Sequence, residues 1–168
     1  VMSAMRAKFG YKNVMAIPKI EKVVVNVGYG RKAVAKETKA IEKIEQDLAK
    51  IPGQKAAVRK AKKSISGFKM RQGLNVGMMV TLRGKRMYDF IDRLISIALP
   101  RSRDFHGLNP KNIDQHGNLN IGIKEQNIFP EVPTYRITRA QGMDITFVTT
   151  AKTKDEALHL LYLLGMPF

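Results

Sequence analysis

The sequence contains 168 residues with a formal net charge of +16, and 44% of its residues are hydrophobic. That apolar share is enough for a buried core and excludes a disordered tail, and the absence of cysteine excludes disulfides and thiolate zinc sites. No apolar run reaches the roughly 18 residues that a membrane-spanning helix needs. Residues 1–10 show no signal-peptide pattern, and because the sequence opens on Val1 we expect its natural start to be trimmed or to lie upstream.

The positive charge is concentrated in one part of the sequence. Residues 48–88 contain eleven basic residues and no acidic residue, whereas residues 89–168 contain nine of each sign. A stretch of one sign inside a folded domain repels itself, and a polyanion relieves that repulsion. The distribution therefore favours a nucleic-acid partner over an evenly solvated surface.

The first half of the sequence predicts helices and strands in alternation. The elements are the end of a helix over 2–9, a β-branched strand over 22–27, an amphipathic helix over 35–51 and a short strand over 55–60. Pro52-Gly53 ends the second helix.

The second half begins with a long exposed loop over 61–74. It continues with a strand over 75–82, an amphipathic helix over 85–99, an alternating strand over 118–123 and a strand over 143–150. Irregular connections cover 101–117 and 125–141. A capping box from Thr153 to Glu156 opens a last helix.

This order of elements predicts an α+β fold in one domain over residues 1–168. We expect a mostly antiparallel sheet with the helices packed on one face and the basic loop 61–74 protruding. The other face of the sheet is then free for a partner.

The loop residues have the chemistry of an RNA contact. Small residues let a backbone approach phosphates, and an exposed aromatic ring can stack on a base or ribose. The candidate residues are Lys62, Lys63, Ser64, Phe68, Lys69 and Arg71. The alternatives are a solvated charged loop and a Phe68 ring that folds back into the core.

The segment Gly28–Ala33 fits the pattern G-x-G-x-x-A of a dinucleotide-binding turn. The acid that such a site needs is missing, because the candidate Asp47 lies inside a predicted helix. A milder interpretation is a tight turn whose amides, with Arg31 and Lys32, face phosphate.

No other catalytic or metal motif is present in the sequence. His159 lies on the last predicted helix, whereas His106 and His116 lie in the irregular connection 101–117, and the three lack ligand spacing, so we expect neither a metal nor a cofactor. We also expect no enzymatic activity.

Many short motifs together resemble a known family. They include Val25-Asn26-Val27-Gly28, Ala61–Phe68, Val80–Gly84, Gly122–Gln126 and Gly142–Ile145. In this order and spacing they are similar to the bacterial-type form of large-subunit ribosomal protein five, over nearly the whole chain.

The resemblance implies a non-catalytic protein of the central protuberance in a cytoplasmic or organellar ribosome. The implied partners are 5S rRNA, 23S-type rRNA, P-site tRNA, small-subunit head protein thirteen and other central-protuberance proteins, with no membrane. By motif, Asn26, Gln54 and Thr81 match the polar trio that hydrogen-bonds 5S rRNA, and the basic loop matches the segment that faces tRNA.

Further site residues follow from the same motifs. We expect Gly28, Gly30, Arg31, Lys32, Lys55 and Arg83 to complete the 5S rRNA site. We expect the connection 128–141 to form the inter-subunit bridge, with Ile128, Pro130, Glu131, Tyr135, Arg136 and Arg139 as contacts.

The sequence departs from the family pattern at a few positions. His106 and Gln141 stand where the family often has Arg, Arg59-Lys60 stands where it often has Thr-Arg, and Tyr29 is bulky between two glycines. Two other functions remain as alternatives, a general nucleic-acid chaperone and a nucleotide-dependent enzyme built on Gly28–Ala33.

Overall fold

The computed structural model describes residues 1–103, 105–132 and 140–168. The chain forms two compact units. Unit 1 comprises residues 1–23, 83–121 and 145–168. Unit 2 comprises residues 24–82 and 122–144.

Five strands form one sheet in the order β2-β3-β1-β5-β4. Their bounds are β1 Ile20–Gly28, β2 Ala57–Lys60, β3 Asn75–Leu82, β4 Leu119–Ile123 and β5 Met143–Thr149. The sheet is antiparallel, so the expected α+β class is confirmed. Strand β3 has the predicted bounds, and the other strands differ from their predictions by one or two residues at one or both ends.

Unit 1 contains three longer helices. These are α1 Met2–Phe9, α4 Gly84–Arg93 and α5 Lys154–Leu163, and α4 continues into a π-helical turn at Leu94–Ala98. The predicted capping box is confirmed, because the Thr153 side chain accepts from the Glu156 backbone and the Glu156 side chain accepts from the Thr153 backbone. This reciprocal pair satisfies two of the free N–H groups at the start of α5.

The described part of unit 2 has two α-helices in the region where the sequence predicted one over 35–51. Helix α2 covers Gly30–Val34 and α3 covers Thr38–Lys50. The chain breaks between them at Lys36, whose φ of 57° is left-handed and cannot continue a helix. The predicted start was therefore wrong by three residues, and the short α2 was missed.

Each unit has its own buried core. In unit 1, Phe90, Leu119, Phe147 and Leu161 are almost completely buried. In unit 2, alternate residues of β1 and β3 are buried, and Leu48 of α3 is buried as well. The period of two follows from the pleat of a strand and leaves the intervening residues facing away from the core.

Candidate nucleic-acid interface

The polar trio lies on strands β1 and β3 and on the turn after α3. Val25 and Val27 of β1 are buried, so the strand alternation exposes Asn26 and Gly28. Thr81 lies half-buried between Val80 and Leu82, which are both buried.

A hydrogen bond joins two members of the trio. Gln54 Nε2 donates to the backbone carbonyl of Thr81 at 3.2 Å. Gln54 reaches this position because Gly53 adopts a left-handed φ of 67° after helix α3. The side chain of Asn26 has no hydrogen bond to any described residue, so both of its amide atoms are available to a ligand.

The segment from Gly28 to Lys32 is held from two sides. The Tyr29 N–H donates to the Val76 carbonyl at 2.9 Å. Gln141 Nε2 donates to the Gly28 carbonyl at 3.1 Å, and Gln141 Oε1 accepts from Lys32 Nζ at 2.7 Å. The segment is therefore a fixed turn that leaves the Arg31 side chain exposed.

The bulky Tyr29 does not occupy the surface of this turn. Its side chain is 3% exposed, and its hydroxyl finds no hydrogen-bond partner among the described residues. Burial, with the nearby negative charge of Glu45, raises the pKa of Tyr29. Tyr29, which is bulky for a position between two glycines, is therefore accommodated in the interior of unit 2.

The geometry argues against a dinucleotide site at this turn. Strand β1 has antiparallel neighbours, whereas a dinucleotide fold needs parallel strands. Asp47, the candidate acid, is buried and accepts from Gln126 Nε2 at 3.2 Å.

The basic segment 61–74 is a paired hairpin rather than an irregular loop. The Ala61 N–H donates to the Leu74 carbonyl at 2.8 Å, and a β-bridge joins Ile65 to Met70. Sequence reasoning missed this pairing because the segment has no buried face and therefore no alternation of apolar and polar residues.

The hairpin presents its predicted residues to solvent. Lys62, Lys63, Lys69 and Arg71 are exposed and form no ion pair with a described residue. Phe68 is 67% exposed, which contradicts the alternative in which its ring folds back into the core. Ser64 bonds within the hairpin, where its Oγ accepts from the Gln72 N–H at 2.9 Å.

A packing contact connects the hairpin to the Gly28–Lys32 turn. Met70 Sδ lies 3.4 Å from the position that a Cβ on Gly30 would occupy. The missing side chain of Gly30 therefore lets Met70 of the hairpin pack closely on the start of α2.

The two remaining cations of the expected site differ from each other. Lys55 is exposed and has no described ion pair. Arg83 Nη1 lies 3.3 Å from Glu21 Oε1, and both side chains are about half exposed. A solvent-exposed pair of this kind contributes little to stability, so Arg83 can exchange Glu21 for a phosphate at small cost.

The expected bridge residues have different environments. Pro130 is exposed, Glu131 is half-buried, and Ile128 is buried at 6% exposure, so the Ile128 side chain supports the segment from inside. Tyr135, Arg136 and Arg139 lie outside the described residues.

The described ranges contain neither a metal-binding cluster nor a membrane-spanning helix. Within residues 1–103, 105–132 and 140–168, no group of three or more His, Asp or Glu side chains could hold a metal ion. No helix in the same part of the chain is long and apolar enough to cross a membrane.

Sequence reasoning missed the role of Gln141, which it treated only as a departure from a family pattern. Gln141 is 109 residues from Lys32 in sequence, and no local spacing connects them. Together, exposed polar residues on two adjacent strands, a fixed cationic turn and a hairpin whose cations form no ion pair with a described residue define a basic α+β protein of the RNA-binding class.

Comparison with known proteins identifies the family within that class. A family model described as "Ribosomal protein L5" matches residues 13–71, and a second model, which describes the C-terminus of the same ribosomal family, matches residues 75–168. The chain belongs to the ribosomal protein L5 family.

Bacterial relatives are similar over the whole chain. The large ribosomal subunit protein uL5 of Moorella thermoacetica is 55% identical over 168 residues, covering 100% of this chain and 92% of the relative. The proteins of the same name from Dictyoglomus turgidum and Clostridium botulinum are each 56% identical and are covered to 93% and 92% of their lengths.

The family confirms the broader expectations from the sequence. The chain is a structural protein of the large ribosomal subunit that binds rRNA and serves translation, and it is not an enzyme. The nucleotide-dependent alternative was therefore wrong.

Proposed function

We propose that this chain holds 5S rRNA in the central protuberance through Asn26, Gln54 and Thr81. The observation that carries the proposal is the 3.2 Å hydrogen bond from Gln54 to the Thr81 carbonyl, with an exposed Asn26 on the neighbouring strand. Amide and hydroxyl groups held by two adjacent strands and a neighbouring turn suit the 2′-hydroxyls and phosphate oxygens of a folded RNA. The proposed site also includes Gly28, Gly30, Arg31, Lys32, Lys55 and Arg83, and the cations among them supply affinity by counterion release.

Replacing Asn26, Gln54 and Thr81 together with Ala tests this site. Each lost hydrogen bond costs about 1 kcal/mol, so the triple variant should bind 5S rRNA about a hundredfold more weakly. The measurement is competition between 5S rRNA and an unrelated structured RNA of equal length at two salt concentrations. Unchanged binding by the triple variant would show that the site lies elsewhere.

A matched control replaces three exposed polar residues outside the site, Thr38, Asn112 and Gln115, with Ala. This variant should keep the affinity of the parent. If the parent itself binds both RNAs with equal affinity, and both affinities fall together at the higher salt concentration, charge alone drives binding. A general nucleic-acid chaperone is then the better description.

The hairpin has a separate task in this proposal, which is to face P-site tRNA. Its cations Lys62, Lys63, Lys69 and Arg71 have no described ion pair, and Phe68 is exposed beside them. They are therefore available to a phosphate backbone that arrives after assembly. 23S-type rRNA and other central-protuberance proteins complete the proposed surroundings.

Changing these four cations to Gln should leave isolated 5S rRNA binding nearly intact and weaken P-site tRNA binding to assembled ribosomes. The matched control changes four exposed cations of unit 1, Arg101, Arg103, Lys111 and Lys152, to Gln. A large loss of 5S rRNA affinity in the hairpin variant would refute the division of tasks.

The connection 128–141 is the proposed contact with small-subunit head protein thirteen. Because the chain has no cysteine, Pro130→Cys gives a single thiol for a cross-linker at an exposed position. We expect cross-links to the small-subunit head in whole ribosomes, and none from the control Asn112→Cys. Equal yields from both positions would contradict the proposed bridge.

A further inference from the structure

Gln141 and Lys32 form a contact that neither the motifs nor the family description assigns. Lys32 Nζ donates to Gln141 Oε1 at 2.7 Å, which is the short distance of a charge-assisted hydrogen bond. The residues belong to α2 and to the segment before β5, and both lie in unit 2.

The other end of the amide fixes its orientation. Gln141 Nε2 donates to the Gly28 carbonyl at 3.1 Å and to the Gly142 carbonyl at 3.3 Å. A lysine ammonium only donates and a carbonyl only accepts, so the amide satisfies all three partners in one orientation only. Both amide ends are engaged, and the Gln141 side chain cannot turn away without losing several bonds.

Lys32 gains a fixed position from this contact and keeps its charge. An ammonium has three N–H donors, so two remain for a phosphate after one is given to Gln141. A free lysine side chain loses conformational entropy when it is ordered on binding. Gln141 makes part of that loss occur on folding, before any RNA arrives.

A cationic or acidic side chain at position 141 would act differently. An arginine has no acceptor for Lys32 and would repel it, and a carboxylate would cancel its charge. A neutral amide accepts from the ammonium without neutralising it, which is the property that a cation needs when it has to bind a polyanion.

We propose that Gln141 is a positioning residue of the rRNA site, which holds the Lys32 ammonium in place for a phosphate of the RNA. This inference rests on the proposed 5S rRNA function. It predicts that the contribution of Gln141 to RNA affinity passes through Lys32.

A double-mutant cycle with Gln141→Met and Lys32→Met tests the coupling, because methionine keeps the unbranched stem and removes only the polar head. Lys32→Met should weaken 5S rRNA binding about tenfold and reduce the salt slope by about 0.7 to 0.9, the value for one phosphate. Gln141→Met should weaken binding about threefold to fivefold in the parent and have almost no effect in the Lys32→Met background.

Each outcome separates a different idea. If Gln141→Met weakens binding equally in both backgrounds, Gln141 acts only by holding the Gly28 turn, and the positioning role is refuted. If the parent prefers 5S rRNA but Lys32→Met binds normally, the inference fails while the proposed function stands. If the parent shows no preference for 5S rRNA, the proposed function itself fails.

Unfolding must be excluded as the cause of any loss. Both positions are only half-buried, so urea unfolding of the two single variants should give midpoints close to the parent. As a second measurement, the Lys32 amine should react faster with an amine-modifying reagent in Gln141→Met than in the parent. Equal reactivity would contradict the contact in solution.

Discussion

The carboxylate of Glu156 in unit 1 links Tyr11, which precedes β1, to the start of α5. Its removal should lower the free energy of unfolding. Glu156 Oε1 accepts from the Tyr11 hydroxyl at 2.5 Å, and Glu156 Oε2 accepts from the Lys152 N–H at 2.9 Å. Tyr11 also packs against the small core of Met5, Ile17 and Leu160.

The magnitude follows from the number of bonds. A hydrogen bond to a charged group contributes about 1.5 to 3 kcal/mol when buried, so Tyr11→Phe should cost about 1 to 2 kcal/mol at this partly buried position. Glu156→Ala loses the same bond together with its half of the capping box, which is worth about 1 kcal/mol. We therefore expect Glu156→Ala to lower the free energy of unfolding by about 2 to 3 kcal/mol.

The pair also predicts how stability depends on pH. Burial, the hydrogen bond to Glu156 and the charge of Glu156 together raise the pKa of Tyr11 to about 12. A raised pKa favours the protonated form in the folded state, so this contribution is complete below pH 10, the unfolded value, and is lost as the pH rises towards about 12.

Glu156 behaves in the opposite sense. Burial raises its pKa, but hydrogen bonds from Tyr11 and from the backbone of Lys152 and Thr153 outweigh burial and leave the pKa below 4.5. Its contribution is therefore present above pH 4.5 and is lost as the pH falls through the lower folded value.

Urea unfolding of the parent, Tyr11→Phe and Glu156→Ala between about pH 3 and pH 12 is the assay, a range that extends below the ordinary pKa of Glu156 and up to the raised pKa of Tyr11. The alkaline loss of stability should be smaller in Tyr11→Phe than in the parent. Tyr162→Phe is the matched control, because Tyr162 lies on the same helix as Glu156 and is 66% exposed. A Tyr11→Phe variant within about 0.3 kcal/mol of the control would refute the reasoning.

Three further predictions concern substitutions in unit 1. Gly117→Ala should destabilise the protein by about 1 to 3 kcal/mol in thermal unfolding, because φ of Gly117 is +77° and the new Cβ would lie 3.0 Å from the Ala151 Cβ. Gly67→Ala is the control: the new Cβ would meet no atom within 4 Å, so the substitution should be neutral. Phe147→Ala should cost about 3 to 5 kcal/mol in urea, since the ring is fully buried. Burial raises the pKa of Asp114, but the hydrogen bonds that its carboxylate accepts outweigh burial and lower the pKa below 3.8. The contribution of Asp114 to stability is therefore present at neutral pH and lost in strong acid, so Asp114→Ala should lower the urea midpoint at neutral pH and not in strong acid.

Elements with a strong pattern could be predicted from the sequence, and the reasons are local. Strand β4 alternates Leu119, Ile121 and Ile123 with Asn120 and Gly122, and α5 has a capping box, so both signals lie within the element itself. Helix α2 has five residues, which is too short for an apolar period to appear, and the glycines at positions 28 and 30 favour a turn there instead.

The candidate site divides along the same line. The composition of the hairpin 61–74 was readable because it is a property of neighbours in sequence. The Gln54–Thr81 and Lys32–Gln141 contacts join residues 27 and 109 positions apart, so they become visible only when the sheet brings the segments together. The antiparallel strand order that brings these segments together depends on packing of the whole chain rather than on any one motif.

The hairpin cations are available to bind the phosphates of an RNA because they are not needed to form the hairpin. Its order comes from the backbone pairing of Ala61 with Leu74, from the Ser64–Gln72 bond and from Met70 packed on Gly30. A hairpin stabilised by ion pairs would have to break them before binding phosphate, and each broken pair would reduce the affinity. Here the backbone is already ordered and the charges are unpaired among the described residues, so in the proposed contact with RNA the binding free energy should come mainly from counterion release and depend steeply on salt.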